Sequence, residues 1–201
     1  MRRLGIAVAL ALAAVLVLGA GALALTTSRV EGVSMTPTLE DGELIAANPF
    51  DHAPRRFDVV LVRPSAGTQV VKRVIGLPGD RIQITPGPAS ATPVIRVSPA
   101  GATGWSEVRW SLVPGQDVPP GPWSTRIECC APDGRTSSRP MTATVPPGGY
   151  FVLGDNPDGS YDSRAFGFTA PDAVRAVVLG QVWPPQGLPD PGYRLEPEAG
   201  R

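Results

Sequence analysis

The sequence predicts an all-β outer domain carried behind a single N-terminal membrane helix. A 22-residue uncharged run opens the chain, and short β-rich runs bounded by Gly, Pro and Asp recur after it. Gly and Pro contribute 23 and 24 of the 201 residues, which without a collagen period marks a loop-rich chain. The length suits one domain of ordinary size plus an anchor. Formal net charge is zero and the pI is near 6.6, so no basic field exists to hold nucleic acid.

Met1-Arg2-Arg3 forms a short stub before the run from Leu4 to Leu25. As a helix at ~1.5 Å per residue that run spans about 33 Å, close to a bilayer core. The two arginines hold the N-terminus in the cytoplasm, which places 26–185 outside, on a single-pass protein of the cell (inner or plasma) membrane. The rival reading is a cleaved signal peptide, with Ala22-Leu23-Ala24 as its cleavage site. Secretory apolar regions usually hold about 7–15 residues, so the retained anchor is preferred.

The strand expectations fall on 43–47, 58–62, 69–75, 81–84, 149–153 and 176–182, each a β-rich run between turn residues. Residues 86–144 differ, with many Pro, Gly, Ser and Thr, three of the four tryptophans and both cysteines. They read as an inserted β subdomain. Residues 186–201 read as a Pro-rich, unpacked tail. Cys129 and Cys130 are adjacent, so a bridge would close a strained ring, and two cysteines are too few for structural zinc. No disulfide and no metal are expected.

The lysine count points to chemistry. Of the 18 basic residues 17 are Arg and one is Lys72. Arg replaces Lys wherever charge suffices, but not where a proton must be lost. Codon bias explains the scarcity of lysine without explaining why the survivor sits in Val70-Val71-Lys72-Arg73-Val74-Ile75. A lysine desolvated there has a lowered pKa and can take a proton from a serine. Ser34 in Gly32-Val33-Ser34-Met35-Thr36-Pro37 is a weak candidate alone, matching neither G-x-S-x-G nor S-x-x-K. The segment 154–164 is rich in Asp, Asn, Gly and Ser. It reads as a turn cluster without the final glutamate of an EF-hand, and Asp162 and Arg164 can pair to hold it. His52, the sole histidine, lies in a polar loop beside Asp51 and is the competing base.

Behind an N-terminal anchor, these segments resemble bacterial type I signal peptidases. The matching runs are Gly32-Val33-Ser34-Met35-Thr36-Pro37-Thr38-Leu39, Phe57-Asp58-Val59-Val60, Val71-Lys72-Arg73-Val74-Ile75-Gly76-Leu77-Pro78-Gly79-Asp80, Val145-Pro146-Pro147-Gly148, Gly154-Asp155-Asn156 and Ser160-Tyr161-Asp162-Ser163-Arg164. The resemblance implies an all-β core with an inserted β domain, Ser34 as nucleophile and Lys72 as general base. It implies that the Ser160 hydroxyl positions the lysine amine and that Asp162 and Arg164 brace the site. Substrate would add as a strand between residues 29–32 and 69–71. Val30, Met35, Leu39, Ile45, Leu61, Val70 and Val71 would line pockets for the small residues of an Ala-x-Ala sequence.

Gly32 departs from the pattern, standing where some members carry an oxyanion-hole serine. That leaves the Ser34 N–H, with a neighbouring N–H or a water, as donor. Pro157 stands where an arginine is commoner. The expected partners are signal peptides of exported preproteins and the lipid bilayer, with the chain a monomer and no cofactor required. A Ser/Lys self-cleaving regulator and a non-catalytic membrane-tethered binding module remain the alternatives.

Overall fold

The structure is a computed structural model that describes residues 26–64, 67–85, 94–109, 129–156, 159–183, 185–189 and 192–198, with Ile6 in addition. The anchor expected over residues 4–25 lies, apart from Ile6, outside the described residues. Among the described residues no helix is long and apolar enough to cross a membrane.

The regular structure of the described chain is almost all antiparallel strand, as the β-rich runs predict. Strands β1 (Thr26–Arg29), β2 (Leu44–Asn48), β3 (Val59–Val62), β4 (Val70–Gly76), β9 (Phe151–Leu153) and β10 (Val174–Trp183) form one sheet. Their order is β1-β2-β10-β3-β4-β9, with β11 (Gln186–Gly187) folded back on β10. The second sheet has the order β12-β7-β6-β5-β8, from Arg194–Pro197, Ser106–Arg109, Val94–Ser98, Arg81–Thr85 and Ala143–Thr144 respectively. One short helix, α1 (Ser163–Phe166), follows β9.

Strand alternation distributes the core. On β3 and β4, Val59 and Leu61 pack with Ile45, Met35 and Leu39 on one face. Val60, Val62 and Val74 pack with Val152 and Val177 on the other. A third cluster joins the sheets through Ile75, Ile82, Ile84, Val97 and Phe151. At their junction Gly76 accompanies an irregularity in the β4–β9 register, and a Cβ there would come within 2.9 Å of Ile82 and 3.0 Å of Phe151. Glycine is what lets the second sheet pack this close.

Three expectations require correction. The stretch 186–201 is not an unpacked tail, because β12 pairs with β7, setting Leu195 opposite Val108, and Tyr193 lies 5.4 Å from Phe57. Proline content hid a strand whose pairing needs are met at a sheet edge. The insert boundaries 86–144 also cut through a sheet that includes β5 before them and β12 after them. Finally, Cys129 and Cys130 are joined in a vicinal disulfide. The peptide between them is cis, bringing their Cα atoms to 2.9 Å, and both residues are buried in the cluster between the sheets.

Candidate active site

Three chain segments converge at the Lys72 region of β4. The first leaves β1 and turns tightly. Val30 N–H still bonds Glu43 O at 2.8 Å, continuing the β1–β2 pairing, and Gly32 N–H then donates to Asp41 Oδ1 at 2.7 Å. Gly32 has φ +82°, a left-handed conformation that a serine would hold only under strain. That backbone requirement accounts for glycine at this position. Just beyond it Ser34 is half-buried, anchored by the fully buried Met35 and Leu39.

The second segment is β4 itself. Lys72 is 2% exposed, and its Nζ lies 2.7 Å from Ser34 Oγ and 2.6 Å from Val71 O. Burial pulls its pKa from 10.5 down to about 8, opposed by the nearby charges of Asp162 and Asp155 and assisted by Arg164. No carboxylate forms an ion pair with this amine among the described residues. The lone lysine therefore sits in a pocket that favours loss of its proton.

The third segment is the loop after β9. Its Asp162 carboxylate and Ser163 hydroxyl accept from N–H groups of β9 and the residue after it: Gly154 N–H donates to Asp162 Oδ2 at 3.1 Å, and Val152 N–H to Ser163 Oγ at 2.9 Å. Asp162 is fully buried and takes two side-chain bonds from Arg164, at 2.8 and 2.7 Å. It also caps α1 through Arg164 N–H. A Cβ on Gly154 would collide with both Ser160 Oγ and the Ser34 carbonyl. Ser160 is thus against the Ser34 turn, but its buried Oγ has no hydrogen-bond partner among the described residues. The Lys72–Ser160 bond that the resemblance implies is not formed, since Lys72 Nζ bonds Ser34 and Val71 instead.

Sequence reasoning assigned no role to Asn156 or to the surroundings of Arg73. Asn156 N–H bonds Ser34 O at 3.0 Å, and its side-chain amide donates to Val33 O at 3.1 Å, tying the loop to the serine turn. Arg73 makes bonds of 2.8 and 2.6 Å to the two Asp155 oxygens and one of 2.7 Å to Phe57 O. Tyr193 donates to Asp155 Oδ1 at 2.8 Å and lays its ring 4.4 Å from the Arg73 guanidinium. The available signal was an arginine beside a lysine in an apolar strand, which demands a buried counter-charge.

Of the seven expected pocket residues, Val30, Met35, Leu39, Ile45, Leu61 and Val71 pack in one cluster. Val70 packs on the opposite face. His52 is elsewhere, with Nδ1 3.2 Å from Val174 O at the start of β10.

A hydroxyl held against a buried, deprotonable amine, with histidine remote, is the equipment of a serine hydrolase that works without imidazole. The family model for signal peptidase, peptidase S26, matches residues 2–90 and 125–183. A signal peptidase I of Bacillus caldolyticus is 36% identical over 164 residues, covering 77% of this chain and 78% of that protein. A signal peptidase IB of Staphylococcus aureus is 28% identical over 167 residues, covering 80% and 78%. A crystal structure of a signal peptidase I from Enterococcus faecalis aligns with TM-score 0.38 and 25% identity, over 62% of this chain and 95% of that one. The chain belongs to the signal peptidase family S26: it is a bacterial type I signal peptidase, a serine peptidase that removes signal peptides from exported preproteins.

Proposed function

We propose that Ser34 and Lys72 are the catalytic dyad, cutting precursors after Ala-x-Ala at the outer face of the membrane. The observation that carries this reading is the 2.7 Å approach of Lys72 Nζ to Ser34 Oγ in a buried site, with no carboxylate ion-paired to the amine among the described residues. With the amine neutral, Ser34 O–H donates to the Nζ lone pair. One amine N–H remains on Val71 O, and the other is free for Ser160 Oγ, which lacks a partner.

Attack of Ser34 Oγ on the scissile carbonyl passes its proton to Lys72. The resulting ammonium protonates the leaving amine as the peptide bond breaks, leaving an acyl-enzyme. Lys72, neutral again, takes a proton from water as that water attacks the ester, and returns it to Ser34. The oxyanion meets the Ser34 backbone N–H, which has no hydrogen-bond partner among the described residues. Gly32 N–H is committed to Asp41.

Walls of Val30, Met35, Leu39, Ile45, Leu61 and Val71 accept alanine and reject bulk, which is the basis for the small-residue preference. Asp162 and Arg164 hold the loop that places Ser160. The run Leu4 to Leu25 anchors the domain beside the bilayer and raises its effective concentration on membrane-borne precursors. The test is cleavage of one Ala-x-Ala precursor by the wild type and by Lys72→Arg. The wild type cuts and the variant does not; substantial activity in Lys72→Arg contradicts the dyad.

A further inference from the structure

A groove of ≈ 410 Å³ lies between the end of β3, the start of β10 and the loop around α1. Its lining carries three guanidinium groups, from Arg63, Arg135 and Arg175, against a single carboxylate, Asp172. The arginines keep donors in reserve. Arg63 is exposed and its side chain has no polar partner among the described residues. Among the described residues Arg175 donates to Asp172 O at 3.4 Å and to no other group. Arg135 makes long contacts, 3.4 Å to Phe166 O and 3.7 Å to Asp133.

Thr169 adds an independent observation. It lines the same groove and is 3% exposed, and its Oγ1 has no hydrogen-bond partner among the described residues. A buried hydroxyl left unpaired is costly unless something outside the protein completes it. Tyr161 and Phe166, with rings 5.4 Å apart, supply an apolar wall beside these donors.

The groove's lining connects to the dyad through two short stretches of chain. Tyr161 directly follows Ser160, which abuts the Ser34 turn. Arg63 directly follows Val62, whose partner Val70 is two residues from Lys72. At roughly 3.3 Å per residue and about 4.8 Å between strands, the Arg63 and Lys72 backbones lie on the order of 11 Å apart in a straight line. Three or so residues of extended polypeptide cover that distance. Phe166 packs against the Val60–Val62–Val74 cluster, on the face of β4 from which Lys72 projects.

We infer that this groove is a specificity subsite for a carboxylate side chain of the substrate polypeptide, flanking the scissile bond. The inference rests on the peptidase reading above. Arg63 and Arg175 pair with the carboxylate at the mouth, and the aromatic wall takes the apolar stem of its neighbour. Such a pair at a partly exposed site affects encounter and ground-state binding more than the bond-breaking step.

The test uses the full chain in detergent and peptides with one Ala-x-Ala site. A single Asp, Asn or Lys is walked from the third to the fifth residue on either side of the scissile bond. At low salt the wild type is expected to favour Asp over Asn at one position by about fivefold in kcat/KM, with the preference fading at high salt. The double variant Arg63→Glu/Arg175→Glu should reverse that preference toward Lys while cutting the Asn peptide within twofold of wild type. An Asp/Asn ratio unchanged by the double variant, or no preference at any position, overturns the subsite. Binding of the same peptides to Ser34→Ala, read by fluorescence anisotropy, separates the two readings. Tighter binding of Asp than Asn without wild-type cleavage of either overturns the dyad and keeps the subsite. Phosphatidylglycerol vesicles that bind through Arg63 and Arg175, with no Asp preference in peptides, would assign the groove to lipid and overturn the proposal.

Discussion

Lys72 and Arg73 are neighbours on β4, and their side chains pass to opposite faces of one sheet. On the Arg73 side the cation meets both Asp155 oxygens, a backbone carbonyl and the face of Tyr193. Burial there is compensated, and the nearby carboxylate pushes the Arg73 pKa up despite desolvation. On the Lys72 side the amine meets a hydroxyl and a carbonyl, and desolvation brings its pKa down to about 8. Two adjacent buried cations are thus treated in opposite ways. One is held charged to tie β4 to the loop after β9, and the other is left ready to lose a proton. In the proposed dyad the second would supply the base, and the first would hold the strand that carries it.

The largest expected effects are at the dyad. Ser34→Ala and Lys72→Arg should each reduce kcat/KM on a precursor by at least about 10³-fold, because arginine is no base at accessible pH. Circular dichroism and melting should show both variants folded. Gly154→Ala comes next. Its new Cβ meets Ser160 and the Ser34 carbonyl, so the serine turn must shift. A displacement of about 1 Å costs roughly 100-fold in rate. An active Gly154→Ala would show that the packing of the two loops is not what aligns the dyad.

Replacing Asp155 by Ala tests the other side of β4. It leaves Arg73 buried without its carboxylate, at a cost of about 3–5 kcal/mol, read as a fall of roughly 10 °C in Tm. A melting point within a degree or two of wild type would mean that the pair does not secure the sheet. Asp162→Asn sharpens the electrostatic half of the comparison. The Asp162 charge is the largest influence raising the Lys72 pKa, so its removal should move the acid limb of kcat/KM to lower pH. A shift to higher pH would contradict the account. His52→Ala, the smallest effect, should change cleavage less than twofold.

How much of this was legible beforehand differs between the two sides. The Lys72 side was readable because a chain with 17 arginines keeps one lysine, in an apolar strand, and of the two cations only lysine readily gives up its proton. Strands β2, β3, β4, β5 and β10 were equally visible, since Val, Ile and Leu runs between turn residues have few other solutions. The Arg73 side was not. Its partners Thr38, Asp155 and Tyr193 come from three distant segments, and Tyr193 lay in a stretch whose prolines suggested no structure. The vicinal disulfide was missed because a bridge between neighbouring residues was expected to close too strained a ring.

The central claim is that Lys72 is neutral within the working range of the enzyme, and the composition offers a direct way to measure it. With a single lysine in the chain, labelling lysine with ¹³C at the ε-carbon gives one side-chain NMR signal. Titration of the unliganded protein should show that signal moving with a midpoint near pH 8, with the ammonium form below it and inactive. The kcat/KM profile should rise through the same midpoint, since only the neutral amine accepts the Ser34 proton. A midpoint near 10.5, the ordinary lysine value, would contradict the account.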